Sequence, residues 1–176
     1  MSNQDFKVGT YKYSSVEIKG YKTSSLAQEE TNDCVVRAFA TATEVGYNQA
    51  HEFVSQTFGR KKRQGTSFMD TTMMKLEETG MTVGSKAVKV RVLGIDEITN
   101  TYKLKGEIIK RKKTVKSFIS SHPKGTYIVT VAGHAFTVKD GVLVDNQGEE
   151  FRPTRKVLSA FKLEPQNQNQ AQLSLF

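Results

Sequence analysis

The order of hydrophobic patterns along the chain predicts an α+β domain, with helices in the N-terminal half and an antiparallel sheet in the C-terminal half. Three observations carry this. Apolar residues recur at helical spacing between Cys34 and Thr79, period-two alternation begins at Lys86, and Asp140-Gly141 separates two short apolar runs. Helical periodicity followed by strand periodicity is the mark of segregated helices and antiparallel strands.

Taken in order, residues 1–25 place Tyr11, Tyr13, Val16, Ile18 and Tyr21 in loose alternation, which predicts one or two short strands or an extended arm. Residues 26–33 are polar and rich in helix-start types. Cys34 then opens a run in which Val35, Ala38, Phe39, Ala42 and Val45 share one helical face. This predicts a buried helix ending at Gly46, with Asn32 or Asp33 as its N-cap and Cys34 in its first turn. A second helix is expected from Asn48 to Phe58, stopping before Gly59. A third should run from Phe68 to Thr79, with Ser67 and Asp70 as a capping pair and Gly80 past its end. Met69, Met73, Met74 and Leu76 are read as its core and near-core positions.

Val88, Val90 and Val92 alternate with Lys89 and Arg91, a half-buried strand. A short helix is expected over Thr114–Ser121, closed by a turn at His122-Pro123. Strands follow at Thr126–Ala132, Ala135–Lys139 and Val142–Val144, the last two joined by the Asp-Gly hairpin turn. After Glu164 the polar tail, 165–176, has no apolar periodicity and is expected to be disordered, so the main domain should span 26–164.

A chain of 176 residues, 37% of them hydrophobic and 25% charged, is expected to form one domain that needs no metal or disulfide. No apolar run reaches the length of a membrane span, and the first residues lack a secretory signal, so the expected address is the cytoplasm. A single cysteine excludes an internal disulfide and a thiolate zinc cluster, and three histidines argue against a histidine-rich metal site. His51-Glu52 has no second histidine four residues on, so it is no zinc-protease motif, and His51 is read as an ordinary helix residue. No cofactor is expected. The net charge of +8 favours polyanions or acidic protein surfaces as partners. Two basic runs, Arg60-Lys61-Lys62-Arg63 and Lys110-Arg111-Lys112-Lys113, read as solvated loops, and the first is the candidate nucleic-acid contact. Neither run has interleaved aromatics.

A thiol acts as a nucleophile through its thiolate, and a helix N-terminus favours that anion through its free N–H groups and dipole. A histidine on another element can pair with the thiolate and protonate a leaving group, while a carboxylate or amide orients the ring. Cys34 stands at a helix start, His134 follows Gly133 at the junction of two predicted strands, and Asp145 lies on the next strand. Asn146 is the alternative orienting residue, since either type serves. Asp33, next to Cys34, would raise the thiol pKa unless it caps the helix.

These residues resemble a family. Gln28, Asn32-Asp33-Cys34 and an apolar helix, followed late in a sheet by Gly133-His134 and Asp145, are similar to papain-like cysteine peptidases, in particular the small bacterial C39-like and phage-encoded group. The resemblance implies a papain-like fold and a peptidase or amidase. It implies Cys34 as nucleophile, His134 as general base and acid, Asp145 as its orienting partner, and Gln28 with the Cys34 N–H as oxyanion hole. Protein or peptide would be the substrate. Tryptophan is absent, and Val35-Val36 stands where the family favours small residues. The competing reading is an inactive scaffold of the same kind, cellular or virus-encoded (and then acting in a host cytoplasm), that binds a host protein or nucleic acid through its basic loops.

Overall fold

In the computed structural model, residues 4–8, 11–67, 69–145 and 153–166 are described. Asn146 and the tail from residue 167 onward lie outside them. Two hairpin strands begin the chain, β1 (Gln4–Val8) and β2 (Tyr11–Ser15). Four helices follow: α1 (Ser25–Glu29), α2 (Cys34–Thr43), α3 (Tyr47–Phe58) and α4 (Met69–Thr79). Next come β3 (Met81–Val83), β4 (Lys86–Val92), the single turn α5 (Ile95–Ile98), and a hairpin of β5 (Thr99–Leu104) and β6 (Glu107–Lys112). The remainder is α6 (Val115–Ser121), β7 (Thr126–Val131), β8 (His134–Lys139), β9 (Val142–Val144) and β10 (Ser159–Pro165).

The protein is a mixed α/β structure built on one large sheet. Eight strands join in the order β1-β2-β9-β8-β7-β10-β4-β3, while β5 and β6 pair only with each other. The sheet therefore recruits both ends of the chain and its middle. The expected purely antiparallel, C-terminal sheet needs correction on that point, since β2 runs parallel to β9.

Both faces of the central strands are covered, which explains their near-continuous apolar sequence. Ile128, Ala135, Phe161 and Leu163 face a cluster formed with Val36, Phe39, Val54 and Met73 of the N-terminal helices. Their strand neighbours Val129, Phe136 and Ala160 join Val115, Phe118 and Ile119 of α6 on the opposite side. Period-two alternation thus separates two cores across one sheet.

α2 is the central helix of the first layer. Val36, Ala38, Phe39 and Ala40 on it are 3% exposed or less, which buries both flanks of the helix. It ends at Glu44, whose φ of 58° breaks the helix before the expected Gly46 stop. Gly46 instead precedes α3, where its N–H donates to Gln49 Oε1 at 3.2 Å. Thr137 of β8 donates to the Ala38 carbonyl at 2.9 Å from a fully buried position. That bond fixes the height of α2 over β8, and with it Cys34 against His134. On α4, Met69 and Met73 are buried, but Met74 is 59% exposed and belongs to the solvent face.

Candidate functional site

Cys34 is the first residue of α2, so its backbone N–H is among the helix-start donors that lack an intrahelical acceptor. His134 is the first residue of β8, immediately after the two-residue turn Ala132-Gly133. Gly133 has φ +70°, and a side chain there would meet nothing within 4 Å, so it is the turn's backbone and not close packing that calls for glycine.

His134 Nε2 lies 2.6 Å from Asp145 Oδ2. The register explains the approach. β8 and β9 pair Thr137 with Val144, which sets Asp145 opposite Phe136 and diagonal to His134 on the same face. Asp145 is buried, and β2 holds its backbone: Tyr13 Oη donates to its carbonyl at 2.9 Å, and its N–H donates to Ser14 O at 3.3 Å. The N-terminal strand therefore positions the third member of the site, a role no sequence signal announced.

The His134 ring also forms a side-chain hydrogen bond with Cys34. Burial pushes the thiol pKa up. The hydrogen bonds from His134 and from the Ala135 backbone N–H, with the charges of His134 and Arg37, outweigh it and bring the pKa below its ordinary value. Burial would lower the His134 pKa, yet the Asp145 carboxylate and the Cys34 sulfur raise it to about 9. Both directions have one cause, since each group favours the charged form of the other.

Asp33 does not work against this pair. It holds the N-cap position of α2 without capping through its side chain. Its carboxylate is buried, accepting from Tyr47 Oη at 2.8 Å and lying 3.0 Å from Arg37 Nε, four residues along the helix. Arg37 thus offsets the charge of the carboxylate next to the nucleophile, and Tyr47 hydrogen-bonds it. Neither was predicted, although Asp33 and Arg37 stand at the spacing of a helical ion pair.

The pair opens into a cleft of about 510 Å³ between the start of α2, the loop before α4 and the β7–β8 turn. Asn32, Thr66, Asp70, Gly65 and Gly133 line it beside Cys34 and His134. Gln28 does not. It is exposed on α1, where its side chain donates to the Lys22 carbonyl at 3.4 Å. The structure brings together Cys34, His134 and Asp145 and leaves Gln28 outside. Asn32, held at φ 56° by a residue type that tolerates it, lines the cleft, with its side-chain Nδ2 donating to the Arg63 carbonyl at 3.4 Å.

The predicted nucleic-acid segment is a loop in which Lys61, Lys62 and Arg63 are exposed, but Arg60, contrary to expectation, is not solvated. The Arg60 side chain is fully buried and grips Glu30 with two bonds, Nη2–Oε2 at 2.8 Å and Nη1–Oε1 at 3.1 Å. His51 Nε2 joins the same carboxylate at 2.8 Å, so it is more than an ordinary helix residue. The Arg63 N–H donates to Glu30 Oε2 at 2.8 Å, and Lys62 pairs with Glu29. Arg60 and Lys62 are thus paired with the carboxylates at the end of α1, Arg63 Nε donates to the Glu29 carbonyl at 3.0 Å, and Lys61 is in no ion pair among the described residues. The second basic run, by contrast, is no loop: Lys110, Arg111 and Lys112 belong to β6, and Lys113 is buried, donating to Ser121 Oγ at 2.9 Å.

Comparison with family models, curated proteins and solved structures yields no match. Among the described residues no group of acidic, cysteine and histidine side chains is placed to hold a metal ion, and no helix is long and apolar enough to cross a membrane.

Proposed function

We propose that the chain is a papain-like cysteine hydrolase that cleaves peptide or amide bonds. The observation that carries this is His134 joined to the Cys34 sulfur on one side and the Asp145 carboxylate on the other, beside an open cleft. The Cys34 thiolate attacks the substrate carbonyl carbon, forming a C–S bond and a tetrahedral oxyanion. The Cys34 N–H faces that oxygen. Collapse breaks the C–N bond while His134 gives its proton to the leaving amine. A water molecule then attacks the thioester, His134 takes its proton, and the acid product leaves with the thiolate restored. Asp145 keeps the ring aligned and stabilises the imidazolium throughout.

The test is the rate of Cys34 alkylation by iodoacetamide against pH, in the native protein and in His134→Ala. The expected result is a thiol pKa below the free value of about 8.5 in the native protein that rises in the variant. A value near 8.5 in both removes the basis of the reading. The position of Gln28 outside the cleft favours a second reading, an inactive binding scaffold of the same kind. Acyl-enzyme formation with an activated thioester or p-nitrophenyl ester, absent in Cys34→Ser, separates the two.

A further inference from the structure

The β5–β6 hairpin stands apart from the large sheet and is strongly basic. From Thr99 to Lys112 it holds five basic residues and one acidic residue, Glu107. Its register sets Asn100 opposite Arg111 and Tyr102 opposite Ile109, so these four side chains share one face. That face turns toward α6, where Asn100 Nδ2 donates to Ser117 Oγ at 3.0 Å. Between them lies a groove of about 550 Å³, lined by Asn100, Tyr102, Arg111, Lys112, Ser117 and Lys156.

Two features give the groove its chemistry. Lys103, Arg111, Lys112 and Lys156 line it, and among the described residues none of them is in a salt bridge. Lys110 is different, being 2.5 Å from Asp96. Glu107 sits at the hairpin tip, four residues from Arg111 and about 13 Å away along the strand. Four cations lining one groove with no ion pair among the described residues match a phosphate backbone. The second feature is Tyr102, 50% exposed, its hydroxyl accepting from Asn100 Nδ2 at 3.2 Å. A half-exposed aromatic ring beside free cations is what an unpaired base needs for stacking, and a duplex, whose bases are already stacked, gains nothing from it.

The geometry points to the groove between the β5–β6 hairpin and α6 as a binding site for single-stranded nucleic acid, with Arg111, Lys112 and Lys156 on the phosphates and Tyr102 stacked on a base. This does not depend on the hydrolase reading, because the groove shares no residue with the Cys34 cleft.

Fluorescence anisotropy with labelled dT20 and U20, from 50 to 200 mM salt, tests it. The variant R111Q/K112Q/K156Q is expected to lose at least roughly tenfold in affinity at low salt, and the slope of log affinity on log salt should shrink by about 2. Tyr102→Ala should weaken binding by roughly fivefold or more without changing that slope, and Tyr102→Phe should restore most of it. Lys61→Gln and Cys34→Ala serve as controls expected to bind as the native protein does. A 20-base-pair duplex bound as tightly as the single strands, or an equally charged polyphosphate competing as well as U20, overturns the assignment. So does native-like affinity in the triple variant. Matching thermal midpoints and circular dichroism across the variants exclude misfolding as the cause of any loss.

Discussion

His134 keeps its proton because two partners with negative charge flank it where water is scarce. A pKa of about 9 means that the imidazolium persists across neutral pH, while the hydrogen bond and charge of His134 help bring the Cys34 thiol pKa below its ordinary value. The two titrations belong to the pair rather than to either residue alone. Removing Asp145 should therefore move both. In Asp145→Ala the His134 ring, followed by NMR, is expected to titrate at least roughly one unit below its native midpoint near 9, toward the ordinary histidine value. An unchanged midpoint would remove Asp145 from the site. A second residue-scale prediction concerns the oxyanion. Asn32 lines the cleft and Gln28 does not, so Asn32→Ala should lower kcat for an ester or amide substrate by roughly 10- to 100-fold, whereas Gln28→Ala should leave it near the native value. The reverse ranking would show that α1 moves to deliver Gln28 when substrate binds. Cys34, His134 and Asp145 were legible because the thiol's position at a helix start and the strand-borne histidine are local patterns. Tyr13, Tyr47 and the Ala135 N–H were not legible, since each reaches the site through tertiary contacts.

The loop from Gly59 to Thr66 shows how an element can be misread from charge alone. Four consecutive basic residues look like a solvated stretch, and Lys61, Lys62 and Arg63 are exposed, yet Arg60 is buried against Glu30 just past α1 and Lys62 pairs with Glu29. The Arg60 hydrogen bonds, with those of His51 and the Arg63 N–H, hold the Glu30 pKa down to about 2 despite its burial. Composition could not announce this, because the pairing joins residues 30 positions apart. Arg60→Met should leave a buried carboxylate without its main partner and cost about 3–5 kcal/mol in unfolding free energy by urea titration. The sign with pH follows from a depressed carboxyl. The pair's contribution is complete above the ordinary carboxyl value of 4.5 and is lost as pH falls toward 2, so the gap between variant and native protein should narrow over that window. A constant gap would mean that Arg60 acts by packing only. Other elements escaped detection for different reasons. β10 lies between β7 and β4 in the sheet, but Leu158-Ser-Ala-Phe-Lys-Leu-Glu is too short and mixed to declare a central strand. β5 and β6 were hidden because an exposed hairpin carries no hydrophobic alternation, and Gly106 between them is a weaker signal than the Asp140-Gly141 turn that was recognised.

At the scale of the molecule, the cleft and the hairpin groove rest on different supports. Cys34 and His134 stand where α2 meets the central strands, so their geometry depends on both cores and on the β2–β9 pairing that holds Asp145. The hairpin depends on very little of this. None of the residues from Asn100 to Lys112 is buried, while Ile98 and Thr99 before it and Lys113 and Val115 after it are. Thr99 and Lys112 are register partners, so the chain enters and leaves the hairpin at adjacent positions, about 5 Å apart. Replacing residues 100–111 by a two-residue Asn-Gly turn should therefore close the gap without displacing an element of either core. The shortened protein is expected to unfold within a few degrees of the native midpoint and to keep the native pH profile of Cys34 alkylation. It should lose single-stranded oligonucleotide binding, because Tyr102 and Arg111 go with the deleted segment. A loss of Cys34 reactivity in a protein that remains folded would show that the hairpin braces the cleft after all. Retention of both properties would move the nucleic-acid surface elsewhere on this basic chain.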